Sequence, residues 1–360
     1  MKKVVIHGAT NTSNFGDILF AHLFYKKCLT LPDVQVDFLQ NGKYGIGDFL
    51  RKELSYDRSI SNSDFLKSDV LVFMSGGYFG EHESTFIRNL RWYVRYFLPT
   101  VRFQKKGKPI FILGVGGGPI TSRFLRKIMV SLMEDAVCVT VRDEETRDYF
   151  KNYGVKREIL VTTDTAQLYT PNMLPPLEGF LLNSQKKHLF LHLNLIREFD
   201  NLVATKIVPP VIRFLEEHED YDLVIGCDSV SNVDRIKDSM TYKALGLKED
   251  IVQIYLYKDS LQFAALLNQM NVIITTKLHV GIVGAALGKS VVSFPFHKEK
   301  TQRYYRQIGE AGRSIHITQI TPELVEEQIR TYYDKPIALS PHIYELAEMN
   351  LSLLEKINDL

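Results

Sequence analysis

The strongest constraint on the fold is a repeated pattern of short apolar runs that end in glycine or in polar residues. The clearest runs in the first half lie at residues 3–7, 70–75, 110–115 and 136–141. They are apolar enough for strands buried on both faces, and stretches of helical period separate them. Strands that alternate with helices in this way predict an α/β fold with a doubly wound parallel sheet.

The same pattern begins again in the second half of the chain. Further runs lie at residues 189–193, 222–226, 251–254, 271–275 and 291–294. A chain of 360 residues exceeds a usual single core. We therefore predict two Rossmann-like domains, 1–170 and 186–340, with the proline-containing stretch 171–185 as the linker. The closing amphipathic helix, 342–357, is expected to pack back onto the first domain.

Polar residues stand where the strand 271–275 gives way to a helix. Thr276, Lys277 and His279 follow this strand directly, and Lys298 follows the next one. Ligands of open α/β sheets bind at the carboxyl ends of the strands, so these side chains predict an anion site with a proton donor. The alternative is an ordinary α/β unit whose histidine only caps a helix.

The loop after the first strand, residues 8–17, is polar and contains glycine. It carries Asn14, Gly16 and Asp17 at the position where Rossmann-like folds hold phosphate or polar ligand groups. It lacks the GxGxxG fingerprint of dinucleotide-binding proteins. The alternative is that these residues serve only the turn and the start of the helix.

Other strand ends of the first half carry glycine pairs or charged residues. The glycines at these ends are Gly76, Gly77, Gly116 and Gly117. A glycine pair allows a ligand to approach the backbone closely, or forms only a tight turn. Arg142 and Asp164 follow the next two strands.

One segment of the first half is unusually basic. Residues 84–133 contain ten lysines and arginines and no acidic residue. Arg88, Arg91, Arg95 and Arg102 recur at helical spacing, with aromatic residues between them. The segment 84–108 is therefore a candidate for contact with anionic lipid. The alternative is a solvated helix face whose aromatic residues pack on the sheet.

Composition indicates which kinds of partner the protein binds and in which cellular compartment it works. A net charge of +2 argues against nucleic acid as a partner. Three cysteines far apart argue against a disulfide framework and a zinc cluster, and the apolar run after Lys2 and Lys3 is too short for a signal peptide. We expect a cytoplasmic protein, peripheral at the inner membrane face if the segment 84–108 contacts lipid.

Taken in order, the motifs resemble those of the polysaccharide pyruvyl transferase family. They lie at residues 14–17, 75–77, 114–119, 141–146, 163–166, 276–279, 288–290 and 294–298. The resemblance spans roughly residues 1–300 and implies a glycosyltransferase-B-like fold with the site in the interdomain cleft. It also implies transfer of pyruvate from phosphoenolpyruvate onto sugar hydroxyls as a cyclic ketal. Lys277 departs from the arginine that the family commonly has, which keeps the charge but loses the bidentate fork.

The resemblance also implies roles for individual residues. His279 is the expected general acid, and Arg142 is the expected clamp on carboxylate and phosphate, with Lys277 and Lys298. Asp17 is the expected catalytic group that orients the sugar hydroxyl, with Asn14 and Asp164 as other candidates. The glycines at residues 16, 76, 77, 116 and 117 are expected to border the substrate.

No metal and no cofactor is expected, since phosphoenolpyruvate is the donor substrate. The expected acceptor is a lipid-linked intermediate in the synthesis of a capsule or exopolysaccharide, although a soluble glycan is equally compatible with the motifs. One alternative is a glycosyltransferase of the same architecture that uses a nucleotide sugar. Another is a degenerate member that binds a sugar or a partner protein without catalysis.

Overall fold

The structure, a computed structural model, describes residues 1–39, 46–58, 62–80, 85–246 and 252–360. The chain divides into two compact units. The first unit comprises Met1–Ser13, Asp17–Thr165 and His342–Leu360. The second unit comprises Asn14–Gly16 and Ala166–Pro341.

The described part of the first unit contains a seven-stranded parallel sheet. Its strands are β1 (Lys2–His7), β2 (Val34–Phe38), β3 (Val70–Phe73), β4 (Gly76–Phe79), β5 (Ile110–Gly117), β6 (Cys138–Val141) and β7 (Leu160–Val161). The order is β2-β1-β3-β5-β6-β7, and β4 pairs separately with β5. The strand residues in the middle of this sheet are buried, as expected for a parallel sheet covered on both faces.

Helices of the first unit alternate with these strands. They are α1 (Phe15–Leu29), α2 (Asp48–Glu53), α3 (Asn62–Phe65), α4 (Phe86–Trp92), α5 (Leu98–Gln104), α6 (Arg123–Asp135) and α7 (Glu144–Asn152). A π-helical turn, Tyr93–Phe97, joins α4 to α5. The segment is therefore helical from residue 86 to residue 104, with one local widening.

A buried asparagine of the last helix fixes that helix to the first unit. Asn350 Oδ1 accepts hydrogen bonds from Thr140 Oγ1 at 2.5 Å and from Thr162 Oγ1 at 3.0 Å. Its Nδ2 donates to Thr163 O at 3.1 Å. A fully satisfied polar group in a core fixes one packing arrangement, which explains why the terminal helix takes this position on the first unit.

The described part of the second unit contains a five-stranded parallel sheet. Its strands are β8 (Lys187–His192), β9 (Tyr221–Gly226), β10 (Val252–Tyr255), β11 (Val272–Thr275) and β12 (Ser290–Ser293). The order is β10-β9-β8-β11-β12, so β8 lies at the centre, between β9 and β11. The predicted strand 251–254 differs slightly, since residue 251 lies outside the described residues and β10 extends to Tyr255.

Helices also alternate with the strands of the second unit. They are α8 (Arg197–Leu202), α9 (Val208–Glu217), α10 (Met240–Leu245), α11 (Ser260–Gln269), α12 (Leu278–Ala286), α13 (Lys298–Gln307) and α14 (Pro322–Tyr332). The terminal helix of the first unit is α15 (Pro341–Ser352), which continues as the 3-10 helix Leu353–Asp359. A π-helical turn, Val203–Ile207, joins α8 to α9.

The small residues of α12 bring that helix close to the sheet, as their pattern predicts. A Cβ atom on Gly284 would lie 2.8 Å from Ile273 Cδ1 and 3.1 Å from Val291 Cγ2. Any larger residue at this position would push the helix away from β11 and β12. The second half of α12 therefore packs directly on β11 and β12.

The prediction of a doubly wound α/β fold with two Rossmann-like sheets is confirmed. One detail differs, because Gly76 and Gly77 belong to the short strand β4 rather than to a simple turn. Gly76 has a φ of +152°, a conformation that side chains rarely adopt, and it lets the chain leave β3 and pair with β5. Among the described residues, no helix combines the length and apolarity that crossing a bilayer requires.

Candidate active site

Three adjacent strands of the second unit are followed by polar side chains that form one cluster around a carboxylate. His192 is the last residue of β8, Asp228 follows β9 by two residues, and Lys277 follows β11 by two residues. Asp228 Oδ1 lies 3.3 Å from His192 Nε2, and Asp228 Oδ2 lies 3.6 Å from Lys277 Nζ. Because neighbouring parallel strands end at one edge of the sheet, the strand order itself assembles this cluster.

Asp228 is ionised at the centre of this cluster. Its burial alone would raise the pKa of the carboxyl group. The interaction with His192 and the positive charge of Lys277 outweigh burial and hold the pKa well below its usual range. A buried, permanently charged carboxylate therefore links a buried histidine to a partly exposed lysine.

Lys277 is positioned by its own turn as well as by Asp228. Thr275 Oγ1 accepts a hydrogen bond from Lys277 N at 3.0 Å, which fixes the backbone between β11 and α12. Lys277 is the N-cap residue of α12 and has an extended backbone, with φ −113° and ψ 136°. Its side chain is 36% exposed, so the ammonium group can meet a ligand while Asp228 holds it.

His279 lies in the first turn of α12 and is half-buried. Its ring occupies the space beside Gly16, which the structure groups with the second unit. A Cβ atom on Gly16 would lie 1.9 Å from His279 Nδ1 and 2.2 Å from His279 Cγ. The imidazole lies where a side chain on residue 16 would begin. Only glycine therefore fits at this position.

Asn14 and Asp17 flank this glycine and differ in surroundings. Asn14 Oδ1 accepts a hydrogen bond from Gly16 N at 3.2 Å, which is the turn role that its residue type suggests. Asp17 lies in the first turn of α1 and belongs to the first unit. Burial raises the pKa of Tyr96 to about 12, and the negative charge of Asp17 contributes to that rise. The carboxylate of Asp17 therefore lies near this phenol.

In the first unit, Arg142 and Asp164 form a buried ion pair at the ends of β6 and β7. Arg142 Nη1 lies 3.2 Å from Asp164 Oδ2, and Arg142 Nε lies 3.9 Å from Asp143 Oδ2. Only 7% of the Arg142 side chain is exposed. Asp143 also caps α7 by accepting a hydrogen bond from Thr146 N at 2.7 Å. The guanidinium therefore lies among groups that the protein itself supplies.

The glycines at the end of β5 make room for side chains of the same unit. A Cβ atom on Gly116 would lie 2.5 Å from Arg142 Nε, and one on Gly117 would lie 2.5 Å from Phe150 Cζ. Gly117 also exchanges two hydrogen bonds of 3.0 Å with the hydroxyl of Thr146. Both glycines thus have a packing role, and Gly116 places the Arg142 guanidinium directly over the backbone.

The remaining predicted residues are less informative. Gly76 and Gly77 lie in β4, where Gly76 is constrained by its backbone conformation and by the ring of Tyr78. Lys298 is the first residue of α13, and its side chain lies outside what the structure describes. Within the described ranges, no three His, Cys, Asp or Glu side chains lie close enough together to hold a metal ion.

Sequence reasoning missed His192 and Asp228. Both follow apolar runs, at LFLH (189–192) and LVIGCD (223–228), by the same rule that singled out Lys277. That rule applied to every strand end of the second half would have found them. Without the strand order, however, nothing shows that β8, β9 and β11 are neighbours.

Solved structures of other proteins share this architecture. MnaA of S. aureus, in a co-structure with UDP, matches with a TM-score of 0.65 over 100% of this chain and 98% of its own, at 14% identity. The UDP-GlcNAc 2-epimerase of Neisseria meningitidis bound to UDP-GlcNAc matches with a TM-score of 0.65 over 100% of both chains, at 11% identity. At such identities the likeness establishes the fold alone, which is glycosyltransferase-B-like.

The family is established by the sequence. The model of the polysaccharide pyruvyl transferase family matches residues 4–298. The chain therefore belongs to the polysaccharide pyruvyl transferase family, and the resemblance inferred from its separated motifs is confirmed. No curated protein sequence matches the chain. Membership implies an enzyme that acts on a sugar acceptor.

Proposed function

We propose that the protein transfers pyruvate from phosphoenolpyruvate onto two hydroxyls of a sugar, as a cyclic ketal, during synthesis of a surface polysaccharide. The observation that carries this proposal is the cluster of Lys277, Asp228 and His192, with His279 on the same helix N-terminus as Lys277. It combines a partly exposed cation with a proton donor, which are the two groups that this chemistry demands.

The donor demands positive charge. Phosphoenolpyruvate carries a carboxylate and a phosphate, and cationic hydrogen-bond donors bind such groups most strongly. Lys277 supplies a point charge in the second unit, and Arg142 supplies a guanidinium in the first. We assign both to donor binding.

The reaction needs a proton at carbon. In the first step a sugar hydroxyl adds to C2 of the enol, its proton passes to a base, and His279 delivers a proton to the methylene carbon C3. In the second step the bond from C2 to the phosphate oxygen breaks and phosphate leaves with the electron pair. A second hydroxyl of the sugar bonds to C2 and releases its proton. One phosphoenolpyruvate and one diol thus give one ketal and one phosphate.

Asp17 and Asp228 carry different tasks in this proposal. Asp17 accepts the hydrogen bond of the attacking hydroxyl, as the family resemblance implies. Asp228 is a positioning residue, because its buried carboxylate holds the Lys277 ammonium at 3.6 Å and His192 at 3.3 Å. Lys277 lacks the bidentate fork of the arginine that the family commonly has, so a partner that fixes its ammonium group is valuable.

We further propose that the acceptor is a repeat unit carried on a lipid, as an intermediate of a capsule or exopolysaccharide. The basic segment 84–108, with no acidic residue, supports an acceptor that is presented at a lipid surface. A cytoplasmic location fits a donor that is made in the cytoplasm. A nucleotide sugar is the competing donor, since solved proteins of this fold hold UDP or UDP-GlcNAc.

The test is acceptor-dependent release of phosphate from phosphoenolpyruvate, with lipid-linked and free galactose, mannose and N-acetylhexosamine as acceptors. We expect His279→Ala to lower the rate by about 10²–10⁴-fold, as loss of a general acid does. Lys277→Ala should chiefly raise KM for phosphoenolpyruvate. His342→Ala, at an exposed histidine of α15, is the matched control and should leave the rate unchanged.

Two results would contradict the proposal. One is full activity of His279→Ala, which would remove the assigned acid. The other is product formation from UDP-GlcNAc with no response to phosphoenolpyruvate, which would favour the nucleotide-sugar reaction.

A further inference from the structure

Helix α4 exposes a cluster of large apolar side chains. Phe86 is 79% exposed, Ile87 is 63% exposed and Leu90 is 46% exposed. No residue of α4 is buried, and the structure describes all of them. Single exposed apolar residues are ordinary, but three within five residues on one short helix form a patch that calls for a partner.

The patch extends onto α6. Phe86, Leu90 and Tyr93 are spaced i, i+4 and i+7, so they lie on one face of the helical segment. The ring of Tyr93 meets the ring of Phe124 edge-on, with centroids 5.2 Å apart. Phe124 is itself 56% exposed. The apolar stripe of α4 therefore continues through Tyr93 to the start of α6.

Cations surround this stripe. Arg88 and Arg91 are exposed on α4, and Arg123 and Lys127 are exposed on α6. We define the basic apolar surface by its apolar and cationic members. They are Phe86, Ile87, Leu90, Phe124, Arg88, Arg91, Arg123 and Lys127. Because residues 84–133 contain no acidic residue while the whole chain has a net charge of only +2, the remainder of the chain is net acidic.

The helical segment is anchored on its other side. Trp92 Nε1 donates a hydrogen bond to Tyr78 O at 3.1 Å, and the Tyr96 ring stacks on that of Tyr78, with centroids 5.0 Å apart. Tyr96, Phe97 and Phe103 are buried in the core of the first unit. Packing on the core thus accounts for the aromatic residues from Trp92 onward and leaves Phe86, with Ile87 and Leu90, unexplained.

We propose that the basic apolar surface docks on the face of a bilayer that contains anionic lipid. Exposed aromatic and aliphatic side chains enter the boundary between headgroups and acyl chains, while the cations bind lipid phosphates. A second copy of this chain is a poor occupant, because a two-fold interface would place the four cations against the same four cations. This surface lies outside the candidate active site, so the proposal holds whichever donor the enzyme uses.

The test is co-sedimentation of the full chain with vesicles of phosphatidylcholine, with and without phosphatidylglycerol. We expect binding to require phosphatidylglycerol and to weaken as salt is raised. Arg88→Gln/Arg91→Gln should weaken binding by about 25-fold, since each cation near an anionic surface contributes about five-fold. Phe86→Ser/Leu90→Ser should weaken binding by about ten-fold or more, although it leaves the charge unchanged.

The matched control is Lys237→Gln/Lys243→Gln, which removes two exposed cations from the second unit. It should bind vesicles as the unchanged chain does. Equal weakening in this control would mean that overall charge alone drives binding, and the proposed surface would be wrong. Binding to neither vesicle, or self-association that Phe86→Ser/Leu90→Ser abolishes, would also overturn the proposal.

Discussion

The two units place a cation at the ends of their parallel strands in different ways. In the first unit, Arg142 is buried between Asp164 and Asp143. In the second unit, Lys277 is partly exposed and shares one carboxylate, Asp228, with His192. Arg142 thus faces two carboxylates, whereas Lys277 and His192 share a single carboxylate.

This difference means that Arg142 is held in place by buried partners, whereas Lys277 keeps a positive charge that a ligand can reach. The guanidinium of Arg142 has its charge matched by buried partners, so removing it leaves them uncompensated. The ammonium of Lys277 is held on one side and meets solvent on the other, so it can take up an anion without breaking a buried pair. Substitution of Arg142 should therefore cost stability as well as donor binding, whereas substitution of Lys277 should cost mainly donor affinity.

The largest expected effect is that of Arg142→Ala on the stability of the first unit. Leaving Asp164 buried and unpaired should lower the free energy of unfolding by about 3–5 kcal/mol. The single tryptophan, Trp92, lies in the first unit, so urea unfolding followed by its fluorescence reports on that unit. Loss of activity without loss of stability would show that Arg142 does not stabilise the first unit.

The matched control removes both charges. Arg142→Met/Asp164→Leu replaces the pair by apolar side chains of similar volume, which is often nearly neutral. We expect it to recover most of the lost stability and none of the activity. A double variant as unstable as Arg142→Ala would show that the ion pair is not the cause.

The second prediction concerns pH and again sets the first unit apart. Burial lowers the pKa of His7 to about 4, although its Nε2–H donates to Tyr96 O at 3.0 Å. Between pH 6.5 and 4 the unfolded chain therefore binds a proton that the folded chain does not. The free energy of unfolding therefore has its full value above pH 6.5. It falls by up to about 3 kcal/mol as the pH is lowered from 6.5 to 4.

His7→Gln keeps a donor for Tyr96 O and removes the titration. We expect the free energy of unfolding, followed by Trp92 fluorescence at pH 7 and pH 5, to depend less on pH in this variant. In the second unit His188 is less buried, and its lowered pKa should have a smaller effect. An unchanged pH dependence in His7→Gln would assign the acid sensitivity to other groups.

The fold was predictable because buried parallel strands leave a local mark. The runs at β1, β5 and β11 are nearly continuous in apolar residues, and each ends in glycine or polar residues. β4 was not predictable, because Gly76 and Gly77 have low strand propensity and only their pairing with β5 makes them a strand.

The site was predictable only where a motif marks it. Lys277 and His279 stand in one short motif, whereas His192 and Asp228 are 36 residues apart and meet only through the order β9-β8-β11. The role of Gly16 was also not predictable. The sequence does not distinguish a loop glycine that approaches a ligand from one that makes room for an imidazole. Contacts between distant segments depend on sheet topology, which a single sequence does not state.

The third prediction compares two glycines that border site side chains. Gly16→Ala should displace His279, lower the rate by about 10²-fold or more and cost about 1–3 kcal/mol of stability, as overpacking does. The three atoms nearest to the new methyl group all belong to His279. In the His279→Ala background, Gly16→Ala should therefore cost little, which a double-mutant cycle measures by thermal unfolding.

Gly116→Ala is the counterpart in the first unit, since its methyl group would meet the Arg142 guanidinium. There Gly116→Ala should push the guanidinium away from the buried Asp164 and so cost more stability than Gly16→Ala, and this cost should disappear in the Arg142→Ala background. Equal costs of the two glycine substitutions would show that the ion pair of Arg142 and Asp164 adds nothing to the cost in the first unit.

The smallest expected effect tests whether Asp228 positions Lys277 or only offsets its charge. Asp228→Asn keeps the shape of the side chain and releases the ammonium, so KM for the donor should rise about ten-fold, or about 1.4 kcal/mol, with kcat changed less. If the carboxylate merely offset the positive charge, the same substitution would strengthen anion binding and lower KM. The two accounts thus predict opposite signs. Lys277→Ala/Asp228→Asn adds a second check, because a residue that acts only through Lys277 should add nothing once Lys277 is gone.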